Sequence, residues 1–176
     1  MVDTASMRDR GRFWRPVPDW GSAEARGDRW AVRCLRGLGQ TLVSGDVEKA
    51  IDAMAHGAAE VGLWGLTDTD LVLVRIGLDK ALLVTPSPLA IEPVWRAGFV
   101  ATAADDAWAV FELEGDGIAG LVAQATGADI GAGSRSASLL FAGMPALLYR
   151  TAQDRARLHV EAPLAAAFWT WLEGAE

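Results

Sequence analysis

The sequence predicts an α+β fold of mixed or antiparallel sheets with flanking helices. Three observations carry this reading. Short β-rich runs come in groups joined by tight turns rather than singly between helices, which disfavours a doubly wound parallel sheet. Three windows carry apolar residues at helical spacing. The two halves of the chain each show strands, then a helix, then more strands, which suggests a pseudo-repeat, although no residue-level self-similarity accompanies it.

Residues 1–29 read as a partly extended N-terminal arm, and 30–176 as one α+β domain. The arm mixes Arg, Asp, Gly and Pro without a period, and Pro16 and Pro18 exclude a regular helix there. Phe13, Trp14 and Trp20 stand in this polar stretch. Large aromatics pack somewhere, either back on the body or on a partner.

Residues 30–36 and 40–44 read as strands separated by Gly37 and Gly39. Asp46 is an N-cap for a helix running to His56, with Val47, Ala50, Ile51 and Met54 on one face and Gly57 beyond its end. Runs at 60–66, 70–76 and 80–85 read as an antiparallel meander, with turns near 67–70 and 77–79. A helix is predicted over 88–98, with Pro88 in its first turn and Pro93 at its middle. Strands follow at 99–102 and 108–114; the second alternates Trp108, Val110 and Glu112 against Ala109, Phe111 and Leu113. Residues 115–126 read as a helix with Ile118, Leu121, Val122 and Ala125 on one face, and 127–133 as a Gly-rich loop. Three strands near 135–141, 146–151 and 156–160 precede a terminal helix that ends in Phe168, Trp169, Trp171 and Leu172. Trp169 and Trp171 stand two apart on that helix, so they belong to different faces.

Composition narrows the function classes. Half the residues (51%) are hydrophobic and 22% are charged, a globular balance rather than a disordered one. The net charge is −7, unevenly spread. Residues 1–36 hold eight arginines against five acids, a balance of +3, and the remainder balances at −10. An acidic body repels phosphate backbones, so nucleic acid is not the expected partner. No run reaches the roughly 18 to 20 apolar residues of a membrane span, and residues 1–20 lack the apolar core of a secretory signal. The expected location is the cytoplasm. Cys34 is the only cysteine, which excludes an internal disulfide.

No catalytic residue and no metal site is expected. The segment 127–134 is glycine-rich, but it follows a helix and leads into a strand, the reverse of a phosphate-binding turn. Two histidines, His56 and His159, stand 103 positions apart and cannot form a zinc cluster with one cysteine. Asp68, Asp70 and Asp79 bracket turns, where Asp is expected for backbone reasons. Asp105 and Asp106 fit either a turn or the polar end of a ligand cleft.

From Trp64 onward, over about 110 residues, a series of weak motifs appears in a consistent order. They are Trp64-Gly-Leu-Thr-Asp-Thr-Asp-Leu-Val-Leu-Val; Asp105-Asp-Ala-Trp-Ala-Val-Phe-Glu-Leu-Glu-Gly115; Leu121-Val-Ala-Gln-Ala-Thr-Gly-Ala-Asp-Ile130; and Phe168-Trp-Thr-Trp-Leu172. Together they resemble the gamma subunit of heterotetrameric sarcosine oxidases. Ala107 and Trp108 depart from that family's usual Gly-Arg, and Thr126-Gly127 replaces its cysteine block. The first 60 residues show no match.

The resemblance implies a fold like the folate-binding domain of aminomethyltransferases. It also implies a non-catalytic accessory subunit in a flavin amine oxidase, with FAD, FMN and NAD carried by larger flavoprotein subunits and no cofactor bound by this chain. Phe13, Trp14, Trp20, Trp169 and Trp171 are then the expected interface residues. An alternative is a folate-binding, aminomethyltransferase-like protein. It would use Asp106, Trp108 and Glu112, with Glu114 as another acid able to face a pterin, but without the expected arginine partner. A third reading is a free-standing module that associates with itself.

Overall fold

A computed structural model of the chain describes residues 16–93, 95 and 97–175. Two sheets lie face to face. The six-stranded sheet runs, edge to edge, β1 (Glu24–Gly27), β2 (Trp30–Leu35), β8 (Trp108–Glu114), β11 (Arg155–Glu161), β10 (Met144–Ala152) and β9 (Ser138–Phe141), antiparallel throughout. The five-stranded sheet runs β4 (Ala59–Val61), β5 (Val72–Gly77), β6 (Lys80–Thr85), β3 (Gly39–Gly45) and β7 (Phe99–Ala103). Its β4–β5 pair is parallel and the others are antiparallel. The described residues form an α+β fold, as the sequence predicts.

Period-two alternation sorts the strand residues into layers. Phe111 and Leu113 of β8 turn outward, toward helices α2 (Ile118–Ala125) and α3 (Ala165–Leu172), and join Leu121, Val122, Phe141, Phe168 and Trp169 in one cluster. Trp108 turns inward, where Leu147 and Tyr149 meet Val72, Val74, Leu82 and Val84 of the other sheet. The outer face of the five-stranded sheet carries Val43, Leu73, Ala81 and Leu83 under helix α1 (Val47–Met54). Asp46 caps α1 by accepting from the Lys49 backbone N–H at 3.1 Å.

The pseudo-repeat is real at the level of strand order. β3-α1-β4-β5-β6 and β8-α2-β9-β10-β11 share the spatial strand order second, third, fourth, first, and differ in the direction of the second strand, which is parallel to the third in one unit and antiparallel in the other. One further strand flanks the first strand of each unit: β7 on β3, and β2 on β8.

The units also exchange segments. After β4 the chain crosses to the six-stranded sheet: Trp64 donates to the Leu148 carbonyl and Thr67 to the Arg150 carbonyl, each at 3.0 Å. Before β9 the chain crosses the other way: Ala137 donates to the Arg75 carbonyl at 2.7 Å, and the Ser136 hydroxyl to the Ile76 carbonyl at 2.6 Å. The two crossings touch at Gly62, where a Cβ would stand 1.9 Å from the Ser134 carbonyl oxygen.

Several expectations change. No helix forms over 88–98 among the described residues; Pro93, at the middle of the segment, lacks the N–H that a helix interior needs. The strand expected at 60–66 stops at Val61, because the next residues make the crossing, and the expected antiparallel meander begins with a parallel pair. Within the segment read as an arm, Glu24–Gly27 pairs with β2 as an edge strand. Phe13 and Trp14 lie outside the described residues.

Candidate functional site

The sheets enclose a polar seam. Gln40 of β3, 2% exposed, is its hub. The Gln40 backbone N–H donates to the Asp105 carboxylate at 2.6 Å. Its side-chain amide nitrogen donates to the carbonyls of Asp105 and Trp108 at 3.1 and 3.0 Å. Both amide protons are thereby used, so its Oε1 must accept from His159, whose Nδ1 lies 2.9 Å away. His159 Nδ1 therefore carries the proton, and Nε2 accepts from the Tyr149 hydroxyl at 3.3 Å. Complete burial pushes the His159 pKa down to about 3, with the nearby Arg157 charge acting in the same direction. The imidazole is neutral at physiological pH, and both of its nitrogens are engaged.

The charged groups of the seam are paired too. Arg157 donates to Asp70 at 3.0 Å. Glu112, 5% exposed, is held by Arg33 of β2 in a close ion pair. Glu114, farther out on β8, contacts Arg33 at 3.2 Å and Arg155 at 3.1 Å. Burial raises the Tyr149 pKa, with Arg157 opposing, so the phenol keeps its proton. Two of the seam's polar atoms, Arg157 Nε and Nη1, are buried without a hydrogen-bond partner among the described residues.

A cleft of about 370 Å³ opens at one end of the seam. Trp20, Cys34, Arg36, Asp106 and Trp108 line it, with Gln40 and Asp105 at its base and Ala162 and Ala165 on one wall. Asp106 and Trp108, two positions apart in the sequence, both line it. Glu112 is not among the residues that line the cleft: it lies beneath Arg33 in the seam. Cys34 is half-buried; burial raises its thiol pKa, with Arg36 opposing, which keeps sulfur in the weakly nucleophilic thiol form. The Gly-rich loop after α2 is folded on itself: Asp129 accepts from the Gly131 and Ala132 N–H groups at 2.9 and 3.2 Å. Among the described residues, no group of three His, Cys, Asp or Glu could hold a metal ion. No helix there is long and apolar enough to cross a membrane.

The interface candidates among the described residues pack on the body, one of the two placements that the sequence allows for the aromatics of the arm. Trp20 folds back, edge-on to Phe111 at 5.8 Å and to Trp169 at 5.6 Å. Trp169 is buried, and Trp171 packs against Phe141 at 5.4 Å and Phe168 at 6.2 Å. These three tryptophans cover the outer face of the six-stranded sheet, because α3 lies flat on it and turns more than one face toward apolar neighbours. Sequence reasoning missed Gln40, Tyr149 and Arg157. The signal for Arg157 was the alternation Arg155-Ala-Arg-Leu-His159, which puts Arg157 and His159 on one strand face.

No protein-family model and no curated protein matches the chain. A solved structure does. The chain shares its fold with heterotetrameric sarcosine oxidase. The similar chain is in that enzyme from Corynebacterium sp. U-96, in complex with pyrrole 2-carboxylate. The TM-score is 0.62 at 20% identity, over 86% of each chain. At that identity the likeness is one of fold.

Proposed function

We propose that this chain is a non-catalytic accessory subunit of a multi-subunit flavin-dependent oxidase or dehydrogenase for sarcosine-like secondary amines. The observation that carries the reading is the fold shared with a chain of a heterotetrameric oxidase over 86% of both chains. The seam supports it: the histidine, tyrosine and buried carboxylate that could do acid–base work are already bonded, His159 across the sheets to Gln40 and Tyr149 and Glu112 within the six-stranded sheet. FAD, FMN and NAD then belong to larger partner subunits, and this chain supplies surface.

The test is to purify the tagged chain from its native cells, identify what accompanies it by mass spectrometry, and record the flavin absorbance. Large flavin-bearing subunits at fixed stoichiometry are expected. A colourless protein that comes out alone would overturn the reading.

One observation favours folate binding as a second reading: the cleft is walled by Trp20 and Trp108 and edged by Asp106, a setting for a planar ring with N–H donors. It ranks second because Glu112, the buried acid, is held by Arg33 away from the cleft lining. Titrating the chain with tetrahydrofolate separates the two. Saturable binding lost in Trp108→Ala supports the second reading, and no binding removes it.

A further inference from the structure

We propose that the cleft at the end of the seam holds a free aromatic amino acid. Arg36 and the Trp108 N–H grip its carboxylate, and Asp106 grips its ammonium. The inference goes beyond the accessory-subunit reading and does not depend on it. It gives the cleft a small, doubly charged ligand in place of a pterin.

The cleft forms where the β2–β8 ladder ends. Ala162 donates to the Ala107 carbonyl at 2.9 Å, and Gly115 donates to the Asp154 carbonyl at 2.8 Å. Odd-numbered residues along β8 therefore exchange bonds with the β11 side. Even-numbered ones turn their N–H and C=O groups toward β2. β2 keeps pace as far as Leu35, opposite Val110. The chain then turns away at Gly37, whose φ of +84° lies in the left-handed region that favours glycine. The Trp108 N–H faces the gap so left, and β2 offers it no acceptor. The Trp108 carbonyl, on the same side, is taken by the Gln40 amide at 3.0 Å. The gap therefore presents a backbone donor.

Seam and cleft also differ in how their charges are matched. In the seam, Arg33 is paired with Glu112 and Arg157 with Asp70. In the cleft, no ion pair joins Arg36 or Asp106 to any described residue, although both line the same cavity. Opposite charges that face one space without touching suit a ligand that carries both. A simple cation would meet Arg36 as a like charge, and a simple anion would meet Asp106 as one. Arg36 and the Trp108 N–H are the donors that a carboxylate needs, and Asp106 is the acceptor that an ammonium needs. The indoles of Trp20 and Trp108 come from the outer and inner layers of the six-stranded sheet. Both reach the cleft, where they wall a space for an aromatic ring. The volume of about 370 Å³ is low in the range of small-molecule sites, which suits a single amino acid.

The experiment is calorimetric titration of the full-length chain with L-phenylalanine, in wild type, Arg36→Gln, Asp106→Asn and Leu78→Ala. Phenethylamine, which lacks the carboxylate, and 3-phenylpropionate, which lacks the ammonium, are titrated into wild type. Leu78, 99% exposed on the β5–β6 turn, is the control. Arg36 and Asp106 are exposed, so both variants are expected to melt with wild type. The expected result is saturable binding of L-phenylalanine to wild type and to Leu78→Ala. Binding is expected to weaken at least about tenfold in Arg36→Gln, in Asp106→Asn and for each one-ended analogue. Should a variant melt early, the two analogues decide on wild type alone. No binding of L-phenylalanine overturns the proposal, and so does equal binding of either analogue. Binding of L-phenylalanine that survives in both cleft variants places it elsewhere and overturns the proposal too. None of these failures touches the subunit reading, which is decided by what accompanies the chain on purification.

Discussion

The two halves of this molecule share one strand order and differ in how they cover it. The six-stranded half lays α2 and α3 over its outer face and fills the space with Phe111, Phe141, Phe168, Trp169 and Trp171. The five-stranded half covers its outer face with α1 and the residues after Thr85, and packs small aliphatics: Val43, Val47, Ala50, Ala81 and Leu83. Where α3 follows the last strand of one unit, a proline-bearing irregular segment follows the last strand of the other. The same strand order therefore yields a closed aromatic core on one side and a groove on the other. Strand order does not decide which face of a domain is finished; the connecting segments do.

The sharpest way to break the comparison is at the point that both halves share. Gly62→Ala puts a Cβ against the Ser134 backbone, which neither crossing can vacate without losing its hydrogen bonds. Urea unfolding is expected to show a loss of at least about 3 kcal/mol. A smaller loss would mean that the crossings move freely.

Next comes the aromatic core. Phe168→Ala is expected to cost about 3–5 kcal/mol, because the ring is fully buried between Phe111 and Phe141. Met54→Ala, in the half-covered groove of the other unit, is expected to cost less than about 2 kcal/mol. Equal costs would remove the distinction between the halves.

The seam comes third. Gln40→Ala strands the His159 N–H and the carbonyls of Asp105 and Trp108, at about 1–3 kcal/mol. His159 also gives the stability a pH signature. The unfolded imidazole titrates near 6.5 and the folded one near 3, so below pH 6.5 the unfolded chain binds a proton that the folded chain does not. The His159 contribution is therefore constant above that pH and falls as pH drops from 6.5 toward 3, with a limiting slope of about 1.4 kcal/mol per pH unit. Chemical unfolding of wild type and His159→Gln across this window measures it, with the difference between the two expected to carry the slope. The smallest effect is Leu78→Ala, within about 0.5 kcal/mol of wild type.

Local signals in the sequence went a long way toward this fold. Asp46 marks the start of α1, the alternation over 108–114 sorts β8 into two faces, and the spacing of Ile118, Leu121 and Val122 marks α2. What was not legible depends on pairing over long distances. Gln40 and His159 are 119 positions apart, and nothing local to either announces the other. The crossings at 62–67 and 134–137 read as strand because they make strand-like bonds, but to the opposite sheet. The failure at 88–98 has a local cause: an apolar, helix-like pattern in which Pro93 outweighs the periodicity. Of the cleft, Asp106 and Trp108 were visible as a polar and aromatic pair, whereas Cys34 and Trp20 join them only through tertiary folding.

The most direct measurement of the central claim is native mass spectrometry of material purified through a tag on this chain. The account predicts one assembly in which the 18.7 kDa chain stands in fixed ratio to larger subunits that carry flavin. A lone chain, or an assembly built of this chain and nothing else, would contradict it.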